Sequence, residues 1–159
     1  FASGDLDEYR LAELADGNAP IDGFGIGTRL DVSADAPSLD CVYKLQEYAG
    51  QPRRKRSEGK ATWPGRKQVY RCADGGPMQR DCVALESSPQ PGQALLQPVM
   101  RRGQRLRAPE PLQTIRTRTA QQLAMLPAPL RGLGEAAPYP VDIAPSLRAL
   151  AECMDRLQS

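Results

Sequence analysis

Ser3, Gly4 and Asp5 stand about twenty residues before Gly25, Gly27 and Thr28, and each group sits where a short apolar run gives way to a turn. Glycine lets a backbone amide approach an anion with no Cβ in the way, and a helix start adds a favourable partial positive charge. Both groups are therefore candidate phosphate cradles. They can serve one ligand only if the elements around them bring them together. Asp5 is placed to cap a helix, with Glu8 three residues on reaching back to the cap amide, and Leu11, Leu14 and Ala15 form one buried stripe. Gly17, Asn18, Ala19 and Pro20 end that helix, and residues 21–26 read as a short strand. A strand, helix, strand unit with a right-handed crossover makes its strands parallel, so the loops after Ser3 and Ile26 emerge on one face. Ligands bind on that face in parallel sheets and barrels, and a phosphorylated small molecule is the first reading. Glycine-rich turns also join strands to helices in any α/β protein, so the pair carries more than either turn alone.

A dinucleotide fingerprint is the rival reading, since Gly23 and Gly25 begin a Gly-x-Gly pattern. Thr28 holds the place of its third glycine, Gly27 falls one residue early, and residues 29–37, with Asp31, Asp35 and Pro37, carry no helical stripe. The pattern fails there.

With 15 prolines and 14 glycines in 159 residues, long regular elements have little room. The net charge of +2 balances 21 basic against 19 acidic residues, which argues against a nucleic-acid or membrane-surface role driven by whole-chain charge. No apolar run approaches the roughly 20 residues needed to cross a bilayer. Phe1 falls inside what reads as a strand, with no charged leader before it, so a truncated start is expected. Cys41, Cys72, Cys82 and Cys153 are too scattered for a paired metal-ligand spacing, and no histidine completes a mixed site or supplies the commonest general base. Cys72 and Cys82 could face each other across a hairpin, but free cytosolic thiols are the expectation.

The strongest electrostatic feature spans residues 52–71, where Arg53, Arg54, Lys55, Arg56, Lys60, Arg66, Lys67 and Arg71 meet the single acid Glu58. Such a cluster reads as a nucleic-acid patch, a localisation signal, an anion clamp beside the glycine loops, or a solvated charged loop. Residues 67–71 and 81–86 flank Ala73, Asp74, Gly75, Gly76 and Pro77, which is a hairpin signature. A strand over 39–48 precedes it, so residues 39–100 read as a small, mostly antiparallel β unit. Residues 89–92 form a linker, and Leu95, Leu96, Val99 and Met100 a short buried extended piece. Helices are expected over 119–126 and 146–157, the second with Leu147, Leu150, Ala151 and Met154 on one stripe.

Four blocks taken in order, SGDLDE at 3–8, GFGIGTR at 23–29, SLDCVYKL at 38–45 and PGRKQVYR at 64–71, resemble nicotinate phosphoribosyltransferase, and the likeness continues through Leu126, Pro127, Tyr139, Pro140 and Val141. Each block is modest; four in order at the right spacing are specific. The resemblance implies the C-terminal portion of a longer chain: an α/β fold whose residues 1–50 close an irregular TIM-like barrel, a basic loop and β-hairpin unit over 51–100, and a helical tail over 101–159. It further implies formation of nicotinate mononucleotide from nicotinate and 5-phosphoribosyl 1-diphosphate in NAD biosynthesis, with coupled ATP hydrolysis and Mg2+, in a cytoplasmic homodimer that binds neither nucleic acid nor membrane. By the same resemblance Ser3, Gly4, Asp5, Gly25, Gly27 and Thr28 hold the 5-phosphate, and Lys55 lies near the diphosphate. No catalytic residue is assigned here, because the family's phosphorylated histidine has no counterpart in a chain without histidine and its ribose- and base-binding residues precede Phe1. Activity of this portion alone is not expected. The alternative is a non-catalytic basic module that grips nucleic acid or phosphorylated ligands through residues 53–71.

Overall fold

Two very short strands, β1 (Ala2–Ser3) and β2 (Phe24–Gly25), lie parallel in the register Ala2↔Phe24 and Ser3↔Gly25, joined through helix α1 (Glu8–Asp16). They open a computed structural model that describes residues 1–32, 37 and 42–157. The chain divides into two compact units, Phe1–Tyr43 with Leu133–Glu135, and Lys44–Gly132 with Ala136–Ser159.

In the first unit the expected strand, helix, strand order and parallel pairing are present. The cap is not the expected one. Asp7, in extended backbone, caps α1 by accepting the Arg10 N–H at 2.9 Å, and this bond, more than any other cause, holds its carboxyl below the usual range. Asp5 is instead spent on the turn, where it and Gly4 have φ of +48° and +110°. The buried stripe is also corrected: Leu11 and Leu14 are half-buried, Ala15 is exposed, and the buried apolar side chain is Leu6, just before the helix. At the other end Asn18, not Gly17, takes the left-handed conformation, at φ +46°. Asn18 N–H bonds Ala15 O and Ala19 N–H bonds Leu14 O, the paired bonds of a Schellman stop. The strand expected over 21–26 shrinks to Phe24–Gly25, because Ile21 N–H turns back to Ala19 O around Pro20, whose fixed φ suits that tight turn. One helical turn, α2 (Thr28–Asp31), follows.

The second unit is built on a four-stranded sheet. Strands β5 (Lys67–Cys72) and β6 (Arg80–Leu85) form the expected hairpin, with Asp74 and Gly75 at φ +35° and +76° and Gly76 N–H closing on Ala73 O at 2.7 Å. Positive φ at both central residues matches the twist of the flanking strands. The sequence expectation of a strand over 39–48 is overturned. Only β3 (Glu47–Tyr48) is extended and paired, with β4 (Gln51–Pro52) across an Ala49-Gly50 turn; residues 39–41 lie outside the described residues. Among the described residues Val42 and Tyr43 have no strand partner, and they are 73% and 97% exposed.

Strand β7 (Gln93–Ala94) pairs with β5, and β8 (Met100–Arg101) with β9 (Gln104–Arg105). The buried piece expected over 95–100 is corrected as well, since Leu96, Val99 and Met100 are exposed. Helix α3 (Leu112–Ala124) starts about two turns earlier than its apolar pattern implies and buries no residue, so that pattern marks only its half that nears the sheet. Strand β10 (Val141–Ile143) then joins β6 in parallel, giving the order β10-β6-β5-β7, while the pairings described within residues 39–100 are antiparallel, as expected. Helix α4 (Pro145–Arg156) matches the expected one, with Pro145 in its first turn, Leu147 and Ala151 buried, and Leu150 and Met154 half-buried. Tyr70, Ala84 and Ala144 make the core, with Leu147 fully buried.

Cys72, Cys82 and Cys153 are free thiols. Cys72 pairs in register with Arg80 and Cys82 with Tyr70, so the two cysteines are diagonal, not opposite. Cys41 lies outside the described residues. No helix among the described residues is long and apolar enough to cross a membrane.

Candidate functional site

The parallel register sets the geometry of the two glycine turns. Because Ser3 and Gly25 are partners at the C-terminal ends of β1 and β2, the turns that follow leave the same edge of the pair. A Cβ on Gly25 would come within 3.0 Å of Ser3 Cβ, so glycine is what permits this approach. Around Gly4 and Gly27 the space is open, with nothing within 4 Å of an added Cβ. Gly4, Asp5 and Gly27 are exposed, and the N–H groups of Asp5 and Gly27 donate no backbone hydrogen bond to another described residue. The structure thus brings Ser3, Gly4 and Asp5 beside Gly25 and Gly27 as one rim, on which the Asp5 and Gly27 N–H groups have no backbone partner among the described residues; Thr28 follows Gly27 and opens α2. Such a rim can solvate an oxyanion by main-chain donors.

Lys55 belongs to the second unit, where its side chain is exposed. Its backbone is fixed on both sides: Lys55 N–H donates to Thr62 Oγ1 at 2.9 Å, and Thr62 N–H donates to Lys55 O at 3.0 Å. Most of the surrounding cations have intramolecular partners. Arg54 Nη1 lies 3.1 Å from Asp155 Oδ2 and Arg56 Nε 3.0 Å from Asp155 Oδ1. Arg66 spans Glu47 and Glu86, and Lys67 donates to the carbonyls of Trp63 and Gly65, with burial pushing its ammonium pKa down.

Sequence reasoning assigned no role to the pair at the foot of the hairpin. Arg71 and Asp81 are cross-strand partners, and the guanidinium meets the carboxylate through two bonds of 2.9 and 2.8 Å. Tyr139 adds its hydroxyl at 3.3 Å. The Arg71 hydrogen bonds hold the Asp81 carboxyl below the usual range, and burial raises the Tyr139 phenol. Opposite charges equidistant from Gly76, in the loop that joins β5 to β6, were the available signal. Arg71 and Tyr139 border a cleft of about 730 Å³ beside α3, walled by Met78, Leu95, Leu123 and Leu126. Among the described residues no group of His, Cys, Asp and Glu side chains converges to hold a metal ion.

Residues 91–151 match the nicotinate phosphoribosyltransferase C-terminal domain family. The chain is similar to nicotinate phosphoribosyltransferase pncB2 of Mycobacterium tuberculosis, at 45% identity over 145 residues, which is 90% of this chain and 31% of that protein. It is also similar to the Mus musculus nicotinate phosphoribosyltransferase, at 31% identity over 178 residues, covering 96% of this chain and 33% of that one. Among solved structures, human nicotinic acid phosphoribosyltransferase superposes with a TM-score of 0.75 at 26% identity, over 96% of this chain and 32% of its own. The chain spans about a third of the length of the relatives it matches.

Proposed function

We propose, for a chain that resembles the C-terminal portion of nicotinate phosphoribosyltransferases, that it forms the 5-phosphate and diphosphate contacts of a longer enzyme of that activity. The enzyme transfers the 5-phosphoribosyl group to nicotinate. The bond from ribose C1 to the diphosphate breaks with its electron pair leaving on the diphosphate, and the pyridine nitrogen forms the new bond to C1. Nicotinate mononucleotide and diphosphate are the products, in NAD biosynthesis. ATP is the co-substrate whose hydrolysis drives turnover, and the assembly is a cytoplasmic homodimer in which β1 and β2 are the last strands of a TIM-like barrel. Mg2+ would be held chiefly by the diphosphate oxygens and water with one or two carboxylates, and no step here runs through the metal.

One observation carries the reading: β1 and β2 pair in parallel with Ser3 opposite Gly25, so two turns of exposed amides share one edge. Amides of Gly4, Asp5, Gly27 and Thr28 anchor the 5-phosphate. Anchoring a remote phosphate converts binding energy into orientation of C1, and Lys55 offers a mobile cation to the departing diphosphate as oxocarbenium character develops. The chain contains no histidine, so it supplies no phosphorylated histidine for ATP coupling and is inactive alone. Gly27→Val in the full-length enzyme tests the rim. A Cβ there meets nothing within 4 Å, so the fold tolerates the change while the side chain occupies the phosphate's space. The expected result is a raised KM for 5-phosphoribosyl 1-diphosphate with an unchanged KM for nicotinate. Wild-type kinetics would remove the rim from the site.

A further inference from the structure

We infer that Asp155, in the last turn of α4, is a positioning residue for Lys55, acting through the two arginines that flank it. The inference rests on the diphosphate role proposed for Lys55. A single carboxylate holds both neighbours: Oδ2 accepts a hydrogen bond from Arg54 Nη1 at 3.1 Å, and Oδ1 forms an ion pair with Arg56 Nε at 3.0 Å. Arg56 also donates through Nη2 to the Met154 carbonyl, so the clamp reaches the main chain of the helix end. Arg54 is largely buried in this arrangement, with 14% of its side chain exposed, while Lys55 between the two is exposed. Thr62 pins the Lys55 amide and carbonyl from the other side.

The consequence is a loop whose backbone is held at Arg54, Lys55 and Arg56 but whose central ammonium has no partner among the described residues. That suits a group meant for a transient anion. A lysine paired to an internal carboxylate would have to break that pair first, and one on an unpinned loop would lose its placement. Asp155 also stands at a helix C-terminus, where the dipole disfavours an acid, so the two guanidinium groups offset a cost intrinsic to its position. Its side chain is 47% exposed and follows Leu147 and Ala151 at four-residue spacing, so the clamp closes the solvent end of the helix's buried stripe.

A double-mutant cycle in the full-length enzyme tests this, with Lys55→Ala, Asp155→Ala and the pair, read as kcat and KM for 5-phosphoribosyl 1-diphosphate and as amide exchange over residues 53–62. Asp155→Ala is expected to lower kcat about 3- to 10-fold, speed exchange in that segment, and add no further loss on top of Lys55→Ala. Asp155→Glu should restore most of the activity. Arg56→Gln removes one arm of the clamp, with its bond to the Met154 carbonyl, while leaving the sequence of α4 unchanged, and should give the same kinetic phenotype if Asp155→Ala folds poorly. Losses that multiply in the double variant, or full turnover in Asp155→Ala where Lys55→Ala is impaired, overturn the inference alone. Full turnover in Lys55→Ala overturns the diphosphate role and this inference with it, whatever the exchange shows.

Discussion

Arg71 and Asp81 show how much one pair can hold when water is kept away from it. Their side chains are 21% and 11% exposed, and each bond of the fork is charge-assisted. Removing the carboxylate leaves a guanidinium poorly hydrated, so Asp81→Ala should cost about 3 kcal/mol by urea denaturation. The pH dependence follows from the lowered Asp81 pKa. A carboxyl depressed in the folded state contributes fully above its unfolded value, about 4, and the contribution fades as pH falls through the folded value below that. The stability gap between the parent and Asp81→Asn is therefore expected to be flat from pH 7 to about 5 and to shrink below about 4. A gap unchanged down to pH 2 would show that the pair is not what Asp81 contributes.

Among the elements, the sheet's edge strand β7 depends on one glycine. Gly92 has φ +113°, and a Cβ there would sit 2.6 Å from the Arg71 carbonyl oxygen, which is backbone and cannot swing aside. Gly92→Ala should therefore separate β7 from β5 at Arg71↔Gln93 and cost about 2–3 kcal/mol, with faster exchange at the Leu95 amide that bonds Val69 O. Slow exchange there would mean the strand accommodates the methyl. Helix α4 and the β5–β6 hairpin were legible because their signals are local: a stripe of Leu147, Leu150, Ala151 and Met154, and an Asp74-Gly75 turn between β-rich runs. The strand expected over 39–48 failed for the converse reason, as Val and Tyr in sequence make a strand only where another strand offers its edge.

For the molecule as a whole, apolar exposure sets the expectation. Many large apolar side chains are exposed, Phe1, Tyr43 and Leu112 at 89%, 97% and 84% among them, and the chain produced by itself is expected to self-associate in sedimentation. Without a histidine it is also expected to form no nicotinate mononucleotide. A sharp cooperative melt of a monomer would contradict the first point. RNA binding that falls steeply with salt and weakens when Arg53, Arg54, Lys55 and Arg56 are neutralised would favour the basic-module reading, against which Arg54 and Arg56 are already committed to Asp155. From the residues alone came the strand, helix, strand order, the two glycine turns, the central hairpin, the last helix and the family likeness, all written in short-range spacing. Tertiary structure alone decided that β10 joins β6 in parallel and that Asp155 reaches Arg54 across a sequence separation of 101. Spacing encodes what neighbours along the chain do to one another; which distant segment closes a sheet or answers a charge is fixed only when the chain has folded and the competing partners are excluded.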